Sequence, residues 1–288
     1  GVVKDGDTYV CKGFETVADY KLKCHVFSTI GSHGSLTVEQ ALMNSCNPYM
    51  IHLALEMGNS RFAYYQSLFG FGKITGIDLP GETTGIVYGD RMTTIDAACN
   101  SFGQTINVNM MQMMAAYCSI INGGMLYQPH IVKRIESANG EVVKEYKANL
   151  VRQTITASTS KLLRRYLKNT VEEGTAKKAG VTGYSVAGKT GTAQKGDRKD
   201  NKWIISFIGH APAENPKFAI YVVIDEPYGT TGTSGSSADV LTLTHNILEK
   251  LLPYMNVYKD ASDEYEDTSS SPDELTVDGI PAGTASSN

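Results

Sequence analysis

Three strand-like segments, residues 184–193, 203–209 and 218–225, constrain the fold of this chain more than any other feature. The links between them are nine and eight residues long. Parallel strands need a crossover of a dozen or more residues, so these three are expected to pair antiparallel. An amphipathic helix is predicted before them, over residues 158–172, and another after them, over 240–254. Further upstream, Thr37 can cap a helix, with Gln40 reaching back as in a capping box. Pro48 stops that helix and suits the first turn of a new one. Asn47 is therefore expected to cap a second helix over 48–57, which leaves Ser45-Cys46-Asn47 in a short connection between two helices. A Met-rich helix is predicted up to Ile121, ended by Asn122-Gly123-Gly124. Strands are predicted near 130–136 and 141–147, and a hairpin or ordered loop within 1–36. The sum is an α+β fold.

Charge divides the chain. Its 288 residues carry 26 Lys plus Arg against 30 Asp plus Glu, a formal net charge of −4. Residues 258–288 hold eight acids and one base, hence −7. Residues 1–257 hold 25 bases against 22 acids, hence +3. We expect a folded body over 1–257 and an acidic, Ser-rich, disordered tail or linker over 258–288. Neither half is basic enough for nucleic acid to be a partner. The longest strongly apolar run, 218–224, is strand-sized and far short of the ~20 residues that span a bilayer. The chain opens at Gly1 with no Met, and we read it as a fragment.

One motif misleads. Gly183 to Thr190 fits the phosphate-loop pattern G-x-x-x-x-G-K-T, and Asp225-Glu226 ends an apolar strand as a magnesium-holding acid would. A phosphate loop must open a helix, yet the residues after Thr190 have no apolar stripe and no crossover helix separates the two motifs. The same residues read instead as Lys189-Thr190-Gly191 on a strand. Lysine offers a cation to a carboxylate, threonine offers a hydroxyl, and glycine lets an extended ligand approach.

Ser45-x-Asn47 in a helix-to-helix connection, far upstream of Lys-Thr-Gly on a strand, is the layout of active-site serine acyltransferases. At this point the chain resembles the penicillin-binding proteins, in particular the transpeptidase domain of the class B, monofunctional branch. The resemblance covers nearly all of 1–257. Its carriers are Asn44 to Pro48, Gly76 to Glu82, Ser101-Phe102-Gly103-Gln104, Asn122-Gly123-Gly124, Gly174-Thr175-Ala176, Val186 to Gln194 and Ser206 to Gly209. It implies the penicillin-binding protein and serine β-lactamase-like fold: an antiparallel sheet flanked by helices, a helical lobe beside it, and the site between them. It implies a peptidoglycan D,D-transpeptidase that acts on stem peptides through an acyl-enzyme and binds β-lactams, at the outer face of a bacterial membrane. The anchor would lie outside this chain, and cell-wall synthesis proteins would be its partners. By resemblance Ser45 relays a proton, Asn47 binds a substrate amide, Lys189 and Thr190 meet a terminal carboxylate, Lys189 tunes the relay, and the Thr192 N–H forms half of an oxyanion hole. Gly191 and Gln194 line the same strand as substrate contacts. A D,D-carboxypeptidase or β-lactamase-type hydrolase, and a non-catalytic scaffold of the same fold, are the other readings.

The family's nucleophile sits in Ser-x-x-Lys upstream of Ser-x-Asn, and no such motif precedes Ser45. The first part of the domain is therefore expected to lie before Gly1. Ser158-Thr159-Ser160-Lys161 matches the pattern but falls in the wrong place, and reads as a helix start followed by a charged turn. No cofactor or metal is assigned from the sequence. Cys11, Cys24, His33 and Cys46 leave three readings open: a closed zinc site, a Cys11–Cys24 disulfide, or free thiols. Some elongation-type members of the family carry zinc at the middle residue of Ser-x-Asn, with a ligand set that is not all cysteine. Cys99 and Cys118 read as core thiols, and the remaining histidines as structural or surface residues.

Overall fold

The first forty residues spread four short strands over two small sheets. In the computed structural model, which describes residues 2–196, 202–227 and 236–261, strands β1 (Thr8–Cys11), β2 (Phe14–Val17), β3 (Tyr20–Lys23) and β4 (Gly34–Thr37) follow in order. β2 and β3 form a hairpin. β1 instead reaches across to β4, setting Cys11 opposite Gly34.

Helix α1 (Val38–Met43) starts as its sequence predicts. The Thr37 hydroxyl accepts the Gln40 N–H, and the Gln40 side chain accepts the Thr37 N–H. Helix α2 (Asn47–Met57) carries Pro48 in its first turn. Asn47 is not its cap, contrary to expectation. Cys46 holds the extended cap backbone (φ −74°, ψ 104°), so Asn47 is already helical and its side-chain amide donates elsewhere, to the Lys23 carbonyl at 3.3 Å. Helices α3 (Asn59–Leu68), α4 (Thr94–Ser101) and α5 (Met110–Ile121) complete the helical lobe. Capping boxes also start α4, from Thr93 and Asp96, and α5, from Asn109 and Gln112.

Strands β5 (Met125–Gln128), β6 (Arg134–Glu136), β7 (Val142–Glu145) and β8 (Asn149–Gln153) make nested ribbons, β5 pairing with β8 around the β6–β7 hairpin. Helix α6 (Ala157–Glu172) then leads to strands β9 (Ala187–Lys195), β10 (Lys202–Ala211) and β11 (Phe218–Asp225), and to helix α7 (Ala238–Tyr254). These three strands form one antiparallel sheet in the order β11-β10-β9, as the short links require.

Alternation along β10 divides the core. Ile205 and Phe207 are fully buried against Val240, Leu248 and Leu252 of α7 and Val171 of α6. Ile208 faces the other way and joins Ala187 with Tyr117 and Ile121 of α5 and Leu167 of α6. Helix α6 is tied to β9 directly, because the buried Thr170 hydroxyl donates to the Gly188 carbonyl. After α7 the chain returns to the entrance of β9. The Asp260 carboxylate accepts the Ser185 N–H at 2.7 Å and the Ser185 hydroxyl, and the Asp260 N–H donates to the Gly183 carbonyl. The remainder of the predicted acidic tail, 262–288, lies outside the described residues.

Candidate active site

The turn between α1 and α2 is a Schellman motif. The Cys46 N–H donates to the Ala41 carbonyl at 2.9 Å and the Ser45 N–H to the Leu42 carbonyl at 3.2 Å. That motif needs a left-handed residue just past the helix end, and Ser45 fills it with φ +52°. Glycine usually stands there, since an L side chain is disfavoured in that region. The turn sends successive side chains in opposite directions: Ser45 faces out to the site, while Cys46 is fully buried beside Ala41.

Lys189 meets Ser45 from β9. Its Nζ donates to the Ser45 Oγ at 2.5 Å, across 144 positions of sequence, and to the Thr190 carbonyl at 3.0 Å. Burial brings the Lys189 pKa down to about 8, because the ammonium loses water that the neutral amine needs less. Thr190 adds its hydroxyl 3.4 Å from Nζ. Beyond it along β9, Gly191, Thr192 and Gln194 stand opposite Ser206, Ile205 and Trp203 of β10. Thr192 is exposed. A Cβ on Gly191 would lie 2.6 Å from the Ser206 hydroxyl, so the neighbouring strand also favours glycine there.

Two supporting residues escaped the sequence reading. The Thr175 hydroxyl lies 3.4 Å from the Ser45 Oγ, and its backbone N–H donates to the Met43 carbonyl at the end of α1. His25 reaches the Asn44 carbonyl through Nε2 at 2.9 Å. Gly174-Thr175-Ala176 was visible as a motif, but only the fold brings the end of α6 against the end of α1. Ser158 sits in the first turn of α6, with its hydroxyl on Thr156. It is twelve residues, about 18 Å of helix, from the Thr170 that touches β9. The structure does not bring it to Lys189.

A second constellation lies directly beneath the first. Cys11 ends β1, Cys24 follows β3, His33 precedes β4, and Cys46 follows α1. Their ligand atoms all fall within 4.8 Å of one another. The His33 Nδ1 is 3.5 Å from the Cys24 sulfur and 3.9 Å from that of Cys11. The three cysteines are buried and unbridged. A hydrogen bond from the Cys46 thiol, with help from the backbone N–H groups of Val26 and Asn47, pulls the Cys24 thiol down to about 5; Cys46 is pushed up by the same partnership.

The chain matches the family model described as "Penicillin binding protein transpeptidase domain" over residues 1–249. It is 39% identical over 256 residues to stage V sporulation protein D of Bacillus subtilis, covering 87% of this chain and 39% of that protein. It is 32% identical over 248 residues to the peptidoglycan D,D-transpeptidase FtsI of Escherichia coli K12, covering 84% of this chain and 40% of that one. The chain thus spans about two fifths of the length of these relatives. Penicillin-binding protein 3 of Mycobacterium tuberculosis, solved in complex with aztreonam, superposes with a TM-score of 0.78 at 28% identity, over 90% of this chain and 59% of that one.

Proposed function

The chain belongs to the penicillin-binding protein transpeptidase family, and on that premise we propose that the protein is a serine-type peptidoglycan D,D-transpeptidase. It acts on stem peptides ending in D-Ala-D-Ala, binds β-lactams, and works at the extracytoplasmic face of a bacterial membrane. Its anchor is assigned to a segment outside these residues; among the described residues no helix is long and apolar enough to cross a membrane. The folded unit expected over 1–257 extends to Asp260, which is fastened to Ser185, and we assign the residues after it to a linker.

The observation that carries this reading is the contact between the Lys189 ammonium and the Ser45 hydroxyl. In the proposed acylation a serine oxygen bonds to the penultimate D-Ala carbonyl carbon, and the bond from that carbon to the terminal D-Ala nitrogen breaks. Ser45 hands a proton to the leaving amine, and Lys189 sets the acidity of that hydroxyl. Lys189 and Thr190 hold the terminal carboxylate. Asn47 binds the peptide amide, with Gly191 and Gln194 beside the extended substrate. The Thr192 N–H donates to the developing oxyanion. The acyl group then passes to the amine of a second stem peptide.

The test is covalent labelling of the full-length protein with a fluorescent penicillin, followed by peptide mapping. Stoichiometric, slowly released label on a serine other than Ser158 is expected. Label on Ser158 would overturn the assignment, and rapid turnover of the penicillin would favour a β-lactamase-type hydrolase.

A further inference from the structure

Between Asn169 and Thr175 the chain touches both halves of the site. The Asn169 side chain donates to the Glu39 carboxylate of α1 at 2.6 Å, the buried Thr170 hydroxyl meets the Gly188 carbonyl next to Lys189, and Thr175 reaches Ser45. On the transpeptidase reading, we propose that Thr175 is a positioning residue for acylation: its hydroxyl holds the Ser45 hydroxyl in the rotation that aims its proton at the leaving amine.

A lysine ammonium carries N–H donors and no acceptor. Those of Lys189 face the Ser45 Oγ at 2.5 Å, the Thr190 carbonyl at 3.0 Å and the Thr190 hydroxyl at 3.4 Å. The charged lysine therefore fills one lone pair of the Ser45 oxygen and cannot accept its proton. A hydroxyl has a second lone pair and a single proton still to place. Among the described residues, the other partner of the Ser45 oxygen is the Thr175 Oγ1 at 3.4 Å. With Thr175 donating, both lone pairs are filled and the Ser45 proton points away from both partners, into the site. A serine hydroxyl without such partners turns about its Cβ–Oγ bond, and a proton that must reach an amine is lost to rate in every misaligned rotamer.

The fold does not need this hydroxyl. Thr175 is exposed, and among the described residues its side chain makes one hydrogen bond, the one to Ser45. Its backbone is held without the side chain. The Thr175 N–H donates to the Met43 carbonyl at 3.1 Å, the Gly174 N–H to the Asn169 carbonyl and the Ala176 N–H to the Thr170 carbonyl. Gly174 lets these segments close up, since a Cβ there would lie 2.9 Å from the Met43 carbonyl and from the Thr170 backbone. The backbone thus fixes where the Thr175 hydroxyl stands, and what the side chain adds is the contact with Ser45.

The experiment follows acylation of the full-length protein by a fluorescent penicillin, separating the saturating rate from the half-saturating concentration. Thr175→Val keeps the shape and removes the hydroxyl, whereas Thr175→Ser keeps the hydroxyl. Thr175→Val should lower the saturating rate about tenfold to a hundredfold, with the half-saturating concentration within about twofold and the unfolding temperature unchanged. Thr175→Ser should stay within about threefold of the parent. In a Ser45→Ala background, Thr175→Val should cost less than about twofold, because the group it positions is gone. An unchanged rate in Thr175→Val, an equal loss in Thr175→Ser, or a full loss persisting in the Ser45→Ala background would each overturn the proposal. Should Thr175→Val not fold, Thr175→Ala decides by the same limits. A parent protein that takes up no penicillin would defeat the transpeptidase reading and this proposal with it. A parent that labels normally beside an equally fast Thr175→Val would defeat this proposal alone.

Discussion

Ser45 stands where the backbone prefers glycine, at a cost on the order of 1 kcal/mol. Only its hydroxyl explains the choice. Ser45→Gly should therefore stabilise the protein by about 1 kcal/mol relative to Ser45→Ala in chemical denaturation, while both cut penicillin acylation about 10²–10⁴-fold. Equal stability of the two variants would refute the strain. Lys189 makes a pH-dependent claim. With its pKa near 8, the ammonium that meets a carboxylate persists below that pH and is lost above it. The second-order acylation rate should fall as pH rises through about 8, and Lys189→Arg should remove that fall, since a guanidinium stays charged. A rate that climbs through pH 8 would assign Lys189 to base work instead. The sign for stability is separate. Below pH 8 the folded state bears the cost of burying the charge. Between about 8 and 10 the unfolded chain holds the proton longer, so this contribution to stability rises with pH. Ser45 and Lys189 were legible as residues because their triplets are short and local. Thr175 and His25 were not, because their roles exist only where two distant chain ends meet.

Most elements follow from local signals. The capping box at Thr37, the apolar run over 218–225 and the stop at Asn122 appear where expected, because each depends on neighbours within a turn. The pairing of β1 with β4 and of β5 with β8 was not legible, since twenty or more residues separate the partners and only packing selects the register. Asn47 was misjudged as a cap because the preceding Schellman turn moves the extended residue back by one. In β9, two glycines differ sharply in tolerance. A Cβ at Gly188 would collide with the Phe207 ring and lie 2.5 Å from the Ile208 carbonyl, both fixed. Gly188→Ala should cost about 1–3 kcal/mol by thermal or chemical unfolding. Gly191→Ala meets only the rotatable Ser206 hydroxyl, and should cost far less, with Ser206→Ala relieving what remains. Similar losses at both sites would count against this account of the strand.

At the scale of the whole molecule, the charge of −4 conceals a body of +3 and a tail of −7. Asp260 adds a structural detail that composition hides, for it belongs to the acidic stretch yet binds Ser185 at the mouth of β9. Deleting 262–288 is expected to leave the unfolding temperature unchanged, whereas ending the chain at Val257 should lower it measurably; equal temperatures for the two would refute a fastening role for Asp260. The separation between the halves of the site also has a meaning in time. Synthesis at about 5–20 residues per second leaves roughly 7–30 s between the appearance of Ser45 and that of Lys189. Cys11, Cys24 and His33 emerge before that interval begins, and Cys46 follows Ser45 directly at its start. A nascent chain thus displays its serine turn and its thiols well before the strand that gives the serine a proton partner, and the order of translation makes the lysine the last arrival.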